Sequence, residues 1–197
     1  MGTEREKPDC SKLSRIKNFT NEGGYNFRFR YLKNIMGLWL IQCVKKELNN
    51  RFSFAELSEM AEITKIKAII DVNDNRLFSP QNMIEAIQNL CRETGGQIPE
   101  EPCELAAVIY NSLALSYSRT AAELEEITGE TYEKICIVGG GAKVEYLNKL
   151  TAKYCNKIVI AGHSEATAIG NLAVQMIAAG IFPNITAARE CIKNSYN

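Results

Sequence analysis

The spacing of apolar residues changes several times along the chain. The first 17 residues are polar and show no period. Aromatic and polar residues alternate over residues 25–31, which predicts a strand, because successive side chains of a strand point to opposite faces. From residue 32 to 48 apolar side chains recur every three or four positions, as at Ile35, Leu38 and Trp39, and this predicts a helix.

Two shorter helices are predicted from their start signals. A helix over residues 53–63 has Ser53 as its N-cap and Glu56 three residues later, the spacing of a capping box. A helix over residues 79–93 has Pro80 at its first position, where the missing N–H group is tolerated.

The longest predicted helix covers residues 102–127 and ends at Gly129. Its apolar stripe includes Leu105, Val108 and Leu113, and several neighbouring positions carry Ala or Ser. Small side chains let a second helix approach closely, so we expect this helix to lie inside the domain.

Strands and helices alternate in the last third of the chain. The pattern predicts a strand at 134–138, a helix ending near 155, a strand at 157–160, and helices at 164–179 and 185–193. Strands that alternate with helices are typical of parallel sheets, so the sequence predicts an α/β fold.

Composition excludes several classes of function. Lys plus Arg and Asp plus Glu number 23 each, and the resulting net charge of zero gives no electrostatic reason to expect binding to nucleic acid or to a membrane. No apolar run approaches the ~18 residues that span a bilayer, and the charged N-terminus does not resemble a signal peptide. We therefore expect a cytoplasmic protein.

Cysteine and histidine usage argues against a disulfide framework or a metal site. The seven cysteines are scattered and form no CxxC pair, so reduced structural thiols are expected. His163 is the single histidine, and a lone histidine beside a helix start is more often incidental than catalytic. No metal ligand is predicted in this chain.

Three consecutive glycines, Gly139, Gly140 and Gly141, follow the predicted strand at 134–138. Glycines at the carboxyl end of a strand let the backbone approach a flat or anionic ligand, because no Cβ atom stands in the way. The spacing matches neither the dinucleotide fingerprint GxGxxG nor a P-loop. A ligand site and a tight turn without a ligand both remain open at this point.

A second junction between strand and helix lies at residues 161–171. Ser164 is placed as a helix N-cap, and Ala166, Ala168 and Gly170 are small enough for close helix packing. The free N–H groups of a helix start also attract anions. Packing is the simpler of the two interpretations here.

Four stretches, in order along the chain, carry a resemblance to a known family. They are residues 18–24 (Asn-Phe-Thr-Asn-Glu-Gly-Gly), 32–40 (Leu-Lys-Asn-Ile-Met-Gly-Leu-Trp-Leu), 138–141 (Val-Gly-Gly-Gly), and 165–167 (Glu-Ala-Thr) with 170–171 (Gly-Asn). Together they resemble the C-terminal domain of the FGGY carbohydrate kinases, in the branch that acts on L-rhamnulose.

The resemblance implies a fold and a reaction. The fold would be the ribonuclease-H-like fold of actin- and hexokinase-type ATPases, with a mixed sheet flanked by helices. The reaction would move the γ-phosphate of ATP, with Mg²⁺, to L-rhamnulose. Residues 1–17 would be the remnant of the family's phosphate-binding strand region, and residues 18–197 the nucleotide-side domain.

Site residues follow from the resemblance position by position. Asn34 would contact the sugar, Gln42 would contact ATP, and Gly139, Gly140 and Gly141 would form the adenosine-binding turn. Asn34 and Gln42 are eight residues apart, so a single helix would present both along one side. The catalytic Asp is expected in an N-terminal kinase domain, the partner that this chain lacks, and the chain alone would be inactive.

Two positions depart from the family pattern. Val144 stands where the family usually has Asn, and His163 stands where it usually has Pro. The first departure weakens the expected adenosine site. The alternative is therefore a non-catalytic module that keeps the fold and binds a nucleotide or a protein partner.

Overall fold

The N-terminal part of the chain forms a three-stranded antiparallel sheet. The structure, a computed structural model, describes residues 1–195. Strands β1 (Gly2–Arg5), β2 (Thr20–Gly23) and β3 (Phe29–Leu32) lie in the order β1-β3-β2, and helix α1 (Lys12–Ile16) connects the first two. The boundary expected after residue 17 stays a prediction, although β1, which precedes it, pairs along its whole length with β3.

The strand predicted at residues 25–31 is shorter than expected. Residues Tyr25–Phe27 form a 3-10 turn, in which Asn26 and Phe27 have φ angles of 56° and 59°. Two consecutive left-handed residues are typical of a tight hairpin turn, whose twist matches that of the flanking strands. The alternation of aromatic residues therefore covers the turn as well as strand β3.

Four helices form the middle of the chain. They are α2 (Trp39–Glu47), α3 (Phe54–Glu62), α4 (Met83–Glu93) and α5 (Pro102–Thr128). The predicted start of α3 is confirmed, because Ser53 and Glu56 form the expected capping box. The end of α5 is confirmed as well, since Gly129 takes the left-handed conformation at the helix C-terminus with φ 69°.

Two predicted helix starts are wrong. The helix predicted from residue 32 begins only at Trp39: Leu32 is still paired in strand β3, and residues 33–38 form neither helix nor strand. The helix predicted from Ser79 begins at Met83, and its cap explains the shift. Asn82 accepts a hydrogen bond from the Glu85 amide at 2.9 Å, and the Glu47 carboxylate of α2 accepts one from the Met83 amide at 2.6 Å.

Helix α5 is the centre of the core. It packs against α3 and against α6 (Glu145–Cys155), and these two helices also contact each other. Its apolar stripe is buried, and so are the small residues Ala106, Ser112, Ala114 and Ser116, as the sequence predicts. Two side chains of this buried helix, Tyr110 and Tyr117, also line neighbouring cavities.

The last third alternates strands and helices as predicted. Strand β4 (Lys134–Ile137), a 3-10 turn (Gly139–Lys143) and helix α6 precede strand β5 (Ile158–Ala161), which pairs in parallel with β4. Helices α7 (Ala166–Ala178) and α8 (Ile185–Ser195) follow. Ser164 is not the N-cap of α7, because Glu165 occupies that position and its side chain makes no capping bond.

The described strands therefore combine antiparallel and parallel pairing, with helices packed around them, as expected of a mixed α/β fold. Within residues 1–195 all seven cysteines are free, and three of them are exposed: Cys10, Cys136 and Cys191. No helix in this range is both long and apolar enough to cross a bilayer.

Candidate functional site

The three glycines after β4 form an open bend. Gly139 has a φ angle of 77°, in the left-handed region that favours glycine. A Cβ atom added at Gly139 or at Gly140 would meet no other atom within 4 Å, and one at Gly141 would lie at an ordinary 3.5 Å from the Ile137 side chain. The bend is therefore not filled by neighbouring side chains, and its backbone borders free space.

The second junction of strand and helix holds this bend in place. The Gly139 amide donates a hydrogen bond to the His163 carbonyl at 3.1 Å, and the Gly162 amide donates one to the Ile137 carbonyl at 2.8 Å. A Cβ atom at Gly162 would lie only 3.1 Å from the Val138 side chain. The two junctions are thus adjacent because β4 and β5 pair in parallel, and Gly162 permits their close approach.

A cavity of about 530 Å³ lies on one side of the bend, between α2, α3, α5 and the start of α6. We call it the aromatic cavity, because Phe54, Tyr110 and Tyr146 line it together with Gln42 and Gly140. The rings of Tyr110 and Tyr146 meet edge to face, with centroids 6.0 Å apart. Its volume is in the range of small-molecule sites, about 300–1,000 Å³.

A second cavity of about 490 Å³ lies on the other side of the same bend. We call it the strand cavity, because residues of β4 line it with Gly141 and Asn148. Gln42 and Gly140 line both cavities. The structure thus brings the predicted residue Gln42 to the glycine bend, although they are about 100 residues apart in sequence.

Asn34 lies elsewhere. It lines a third cavity of about 760 Å³ together with Lys33, Trp39 and Asn73, and neither Gln42 nor a glycine of the bend lines that cavity. The expectation that one helix presents Asn34 and Gln42 along one side is wrong, because α2 begins at Trp39 and Asn34 precedes it in an irregular segment. Residues Ile35 and Gly37 of that segment line both the third cavity and the strand cavity, so the two are neighbours.

Charge at the site is mixed. Glu59, Glu62 and Glu145 line the aromatic cavity with Lys143, and Glu62 forms an ion pair with Lys149 at 2.8 Å. Within residues 1–195 no three His, Cys, Asp or Glu side chains are grouped as a metal site requires. Mg²⁺ needs a near-octahedral set of oxygen ligands, so these residues do not fit a magnesium site of their own.

Val144 occupies the N-cap position of α6, and helix α6 has no side-chain cap because valine offers no hydrogen-bond acceptor. Val144 also lines the aromatic cavity. The departure noted in the sequence therefore falls at the border of the candidate site and leaves amide groups of the first turn without a side-chain partner.

Sequence reasoning missed the side chains that form the walls of the two cavities. Tyr110, on the apolar stripe of α5, is fully buried, and desolvation raises the pKa of its hydroxyl to about 12. Phe54 is half-exposed at the first position of α3, and Asn148 donates a hydrogen bond to the Ala142 carbonyl at 3.0 Å. The available signal was a tyrosine at an apolar-stripe position of the longest helix.

The family model and the relatives that match this chain indicate the same family. The model of the FGGY family of carbohydrate kinases, C-terminal domain, matches residues 1–179. Rhamnulokinase of Oceanobacillus iheyensis is 47% identical over 197 residues, that of Ligilactobacillus salivarius 48% over 198 residues, and that of Enterobacter sp. 39% over 196 residues. Each match covers 100% of this chain but only 42%, 41% and 40% of the respective relative.

Proposed function

Because the chain belongs to the FGGY family of carbohydrate kinases and carries their ribonuclease-H-like C-terminal domain, we propose that it forms the nucleotide-binding half of a kinase for L-rhamnulose. The proposed reaction transfers the γ-phosphate of ATP to a primary hydroxyl of the sugar and releases ADP. The sugar is taken from the name rhamnulokinase, which the relatives compared above carry.

The observation that carries this proposal is the open glycine bend with Gln42 beside it. Gly140 borders both cavities, and a Cβ atom there would meet nothing within 4 Å. A flat adenosine group can therefore lie directly against the backbone, while the Gln42 amide offers hydrogen bonds from α2. In this assignment Gln42, Gly139, Gly140 and Gly141 bind ATP.

The two cavities suit different parts of a nucleotide. The aromatic cavity offers rings and apolar side chains, as a base requires, whereas the strand cavity lies at the carboxyl end of β4, where α/β folds bind ligands. Phosphoryl transfer depends mainly on positioning and on stabilising charge. This domain would supply the positioning of the nucleotide, with Mg²⁺ bound by groups other than its carboxylates.

The sugar would approach from the third cavity, with Asn34 as its contact. An asparagine amide both donates and accepts hydrogen bonds, which suits the hydroxyl groups of a ketose. Because the third cavity and the strand cavity adjoin at Ile35 and Gly37, a sugar near Asn34 and a phosphate near the bend would be neighbours.

The chain spans about 42% of the length of the relatives that it matches. We propose that the general base, an aspartate, belongs to the part of those proteins that this chain does not span, and that the missing N-terminal kinase domain is its partner. Loss of a general base lowers rates by about 10²–10⁴. The 197-residue polypeptide alone is therefore expected to be inactive, and a cytoplasmic location stays a prediction.

A second candidate is a non-catalytic module that keeps the fold. Val144 favours it, because the start of α6 borders the aromatic cavity without a side-chain cap. Such a module would bind a nucleotide or a protein partner without taking part in phosphoryl transfer.

Two assays on the purified chain distinguish these proposals. Calorimetric titration with ATP–Mg²⁺ is expected to show weak but saturable binding, and an ADP-release assay with L-rhamnulose is expected to show no turnover. Clear turnover would contradict the proposed inactivity. Absence of nucleotide binding at millimolar concentration would contradict the kinase assignment and favour a module that binds a protein partner.

A further inference from the structure

Each of the two sheets has an edge strand that borders the strand cavity. Within residues 1–195 strand β1 pairs only with β3, and β4 pairs only with β5. Met1, directly before β1, lines the strand cavity of about 490 Å³ together with residues 135–138, which belong to β4 or directly follow it. The cavity therefore lies between the start of one sheet and the edge strand of the other.

The hydrogen bonds of β4 show which of its backbone groups point away from β5. The Ile137 carbonyl accepts a hydrogen bond from the Gly162 amide, directly after β5, at 2.8 Å. Successive residues of a strand point their N–H and C=O groups to opposite edges. The N–H and C=O groups of Cys136 therefore point to the edge away from β5 and are available to a further strand.

The same alternation applies to β1. The Met1 ammonium donates a hydrogen bond to the Lys33 carbonyl at 2.8 Å, and the Lys33 amide donates one to the Met1 carbonyl at 2.9 Å. Met1 thus faces β3, which leaves the backbone groups of Gly2 and Glu4 on the opposite edge. A row of unpaired N–H and C=O groups on an edge strand is a template for pairing with another chain segment.

Helix α5 holds the two sheets next to each other. Lys33, directly after β3, donates a hydrogen bond to Glu123 of α5 at 2.7 Å. Lys157, directly before β5, donates one to Glu125 of the same helix at 2.6 Å. Tyr117, two turns earlier in α5, lines the strand cavity. Because both sheets are bonded to neighbouring residues of one helix, their edge strands are held in a fixed relation.

The side chains around β4 limit the chemistry of a segment that could pair there. Ile135 and Ile137 line the strand cavity together with Leu147. On the other face of the β4–β5 pair, Ile158 and Ile160 are exposed. Parallel strands are normally buried on both faces, and their sequences are nearly continuous apolar runs. A segment added beside β4 would therefore be extended, uncharged and apolar.

We propose that one extended apolar segment, from the part of the kinase that this chain does not span, inserts between β1 and β4 and joins the two sheets. The chain covers 42% of the Oceanobacillus iheyensis relative and matches a C-terminal domain, so the segment belongs to the N-terminal remainder. The inference rests on the proposed function only for this choice of occupant. Beside residues 134–136 the segment leaves Gly140 and Gly141 free for the nucleotide.

The test supplies the absent segment in the same polypeptide. In a chimera, this chain replaces the matching region of the Oceanobacillus iheyensis relative, and amide hydrogen exchange is compared in the chain alone and in the chimera, without nucleotide. The Cys136 amide should exchange rapidly in the chain alone and about 100-fold or more slowly in the chimera, because a new backbone hydrogen bond protects it. The Ile137 amide, which faces β5, is the internal control and should be protected in both.

A pair of proline variants gives a second measurement. Cys136→Pro removes an N–H group that points away from β5, whereas Ile137→Pro removes one that faces β5. In the chain alone, Cys136→Pro should unfold within about 2 °C of the unaltered chain, and Ile137→Pro about 6 °C or more below it. In the chimera, Cys136→Pro should lower the unfolding temperature by about 3 °C or more, since the inserted strand pairs at that position.

Three results would overturn the inference. The first is rapid exchange of the Cys136 amide in a chimera whose Ile137 amide is protected. The second is protection of Cys136 in the chain alone that increases with protein concentration, because a second copy would then occupy the edge. The third, which needs no chimera, is equal destabilisation of the chain alone by Cys136→Pro and Ile137→Pro. No sample contains ATP, so a failure of nucleotide binding would refute the proposed function separately.

Discussion

Among substitutions at the glycine bend, Gly140→Val best separates an effect on nucleotide affinity from an effect on folding. Gly140 is exposed, its φ lies outside the left-handed region, and a Cβ atom there has open space around it. The added side chain should therefore leave the free energy of unfolding nearly unchanged. Gly139 is less suitable, because its φ of 77° would strain any other residue.

The expected loss of affinity follows from the same geometry. Valine adds three carbon atoms to the surface that the adenosine would cover, so the ligand must move or the bend must shift. Inserting methyl groups into a packed site costs about 1–3 kcal/mol. That range corresponds to a dissociation constant for ATP–Mg²⁺ about 5- to 150-fold higher.

Gly23→Val is the matched control. Gly23 lies at the end of edge strand β2, is exposed, and also has nothing within 4 Å of an added Cβ atom. Calorimetric titration with ATP–Mg²⁺ and thermal unfolding are measured for both variants. Equal affinity in Gly140→Val and Gly23→Val would refute the reasoning, and so would a loss of affinity accompanied by an equal loss of folded protein.

Three further predictions concern stability. Phe27→Gly should stabilise the chain by about 0.5–1 kcal/mol, measured by thermal unfolding, because Phe27 is 95% exposed and its left-handed φ is unfavourable for a phenylalanine but not for a glycine. Phe27→Ala, which keeps the strain, should not. The Ser14 hydroxyl, at 2.6 Å, holds the pKa of Asp9 at about 2. Because the pKa is depressed, the ionised carboxylate stabilises the fold above the carboxyl's ordinary pKa near 4, and this stabilisation is lost as the pH falls towards 2. Asp9→Asn should therefore unfold at a lower temperature than the unaltered chain above pH 4, and the difference should shrink between pH 4 and pH 2. A difference that does not depend on pH would contradict this. Val144→Asn should cap α6 and raise the free energy of unfolding by about 0.5 kcal/mol. If the position contributes to the site, ATP should also bind more tightly. A less stable variant would show that the packing of Val144 outweighs the cap.

The sequence predicts well the elements that local chemistry determines. The capping box at Ser53, the left-handed stop at Gly129 and the alternation of strands and helices after residue 134 are all confirmed. Each depends on residues within a few positions of one another.

Element starts that depend on distant residues could not be predicted. Helix α4 begins at Met83 because the carboxylate of Glu47, on another helix, accepts hydrogen bonds from its first amides. Helix α2 begins late: Leu32 pairs with Gly2 in the sheet, Lys33 exchanges backbone hydrogen bonds with Met1, and an irregular segment follows before Trp39. The spacing of apolar residues indicates which face of a segment is buried, but it does not indicate which distant residues pair with its ends.

In the candidate site, too, local features could be predicted and features that depend on tertiary packing could not. The glycine bend was visible in the sequence, since three consecutive glycines after a strand are a local pattern. Its walls were not, because Tyr110 lies on α5 and Phe54 on α3, and only the tertiary packing brings them to Gly140. The family resemblance indicated Gln42 and Asn34, but their separation into different cavities required the structure.

The central claim is that the backbone at residues 139–141 forms one wall of a nucleotide site with Gln42 beside it. A ¹H–¹⁵N NMR titration of the chain with ATP–Mg²⁺ tests it most directly. The account predicts saturable shift changes at the amides of Gly139, Gly140 and Gly141 and at Gln42, with the amide of Gly23 unaffected. Saturable changes confined to the antiparallel sheet, or none at the glycine bend, would contradict it.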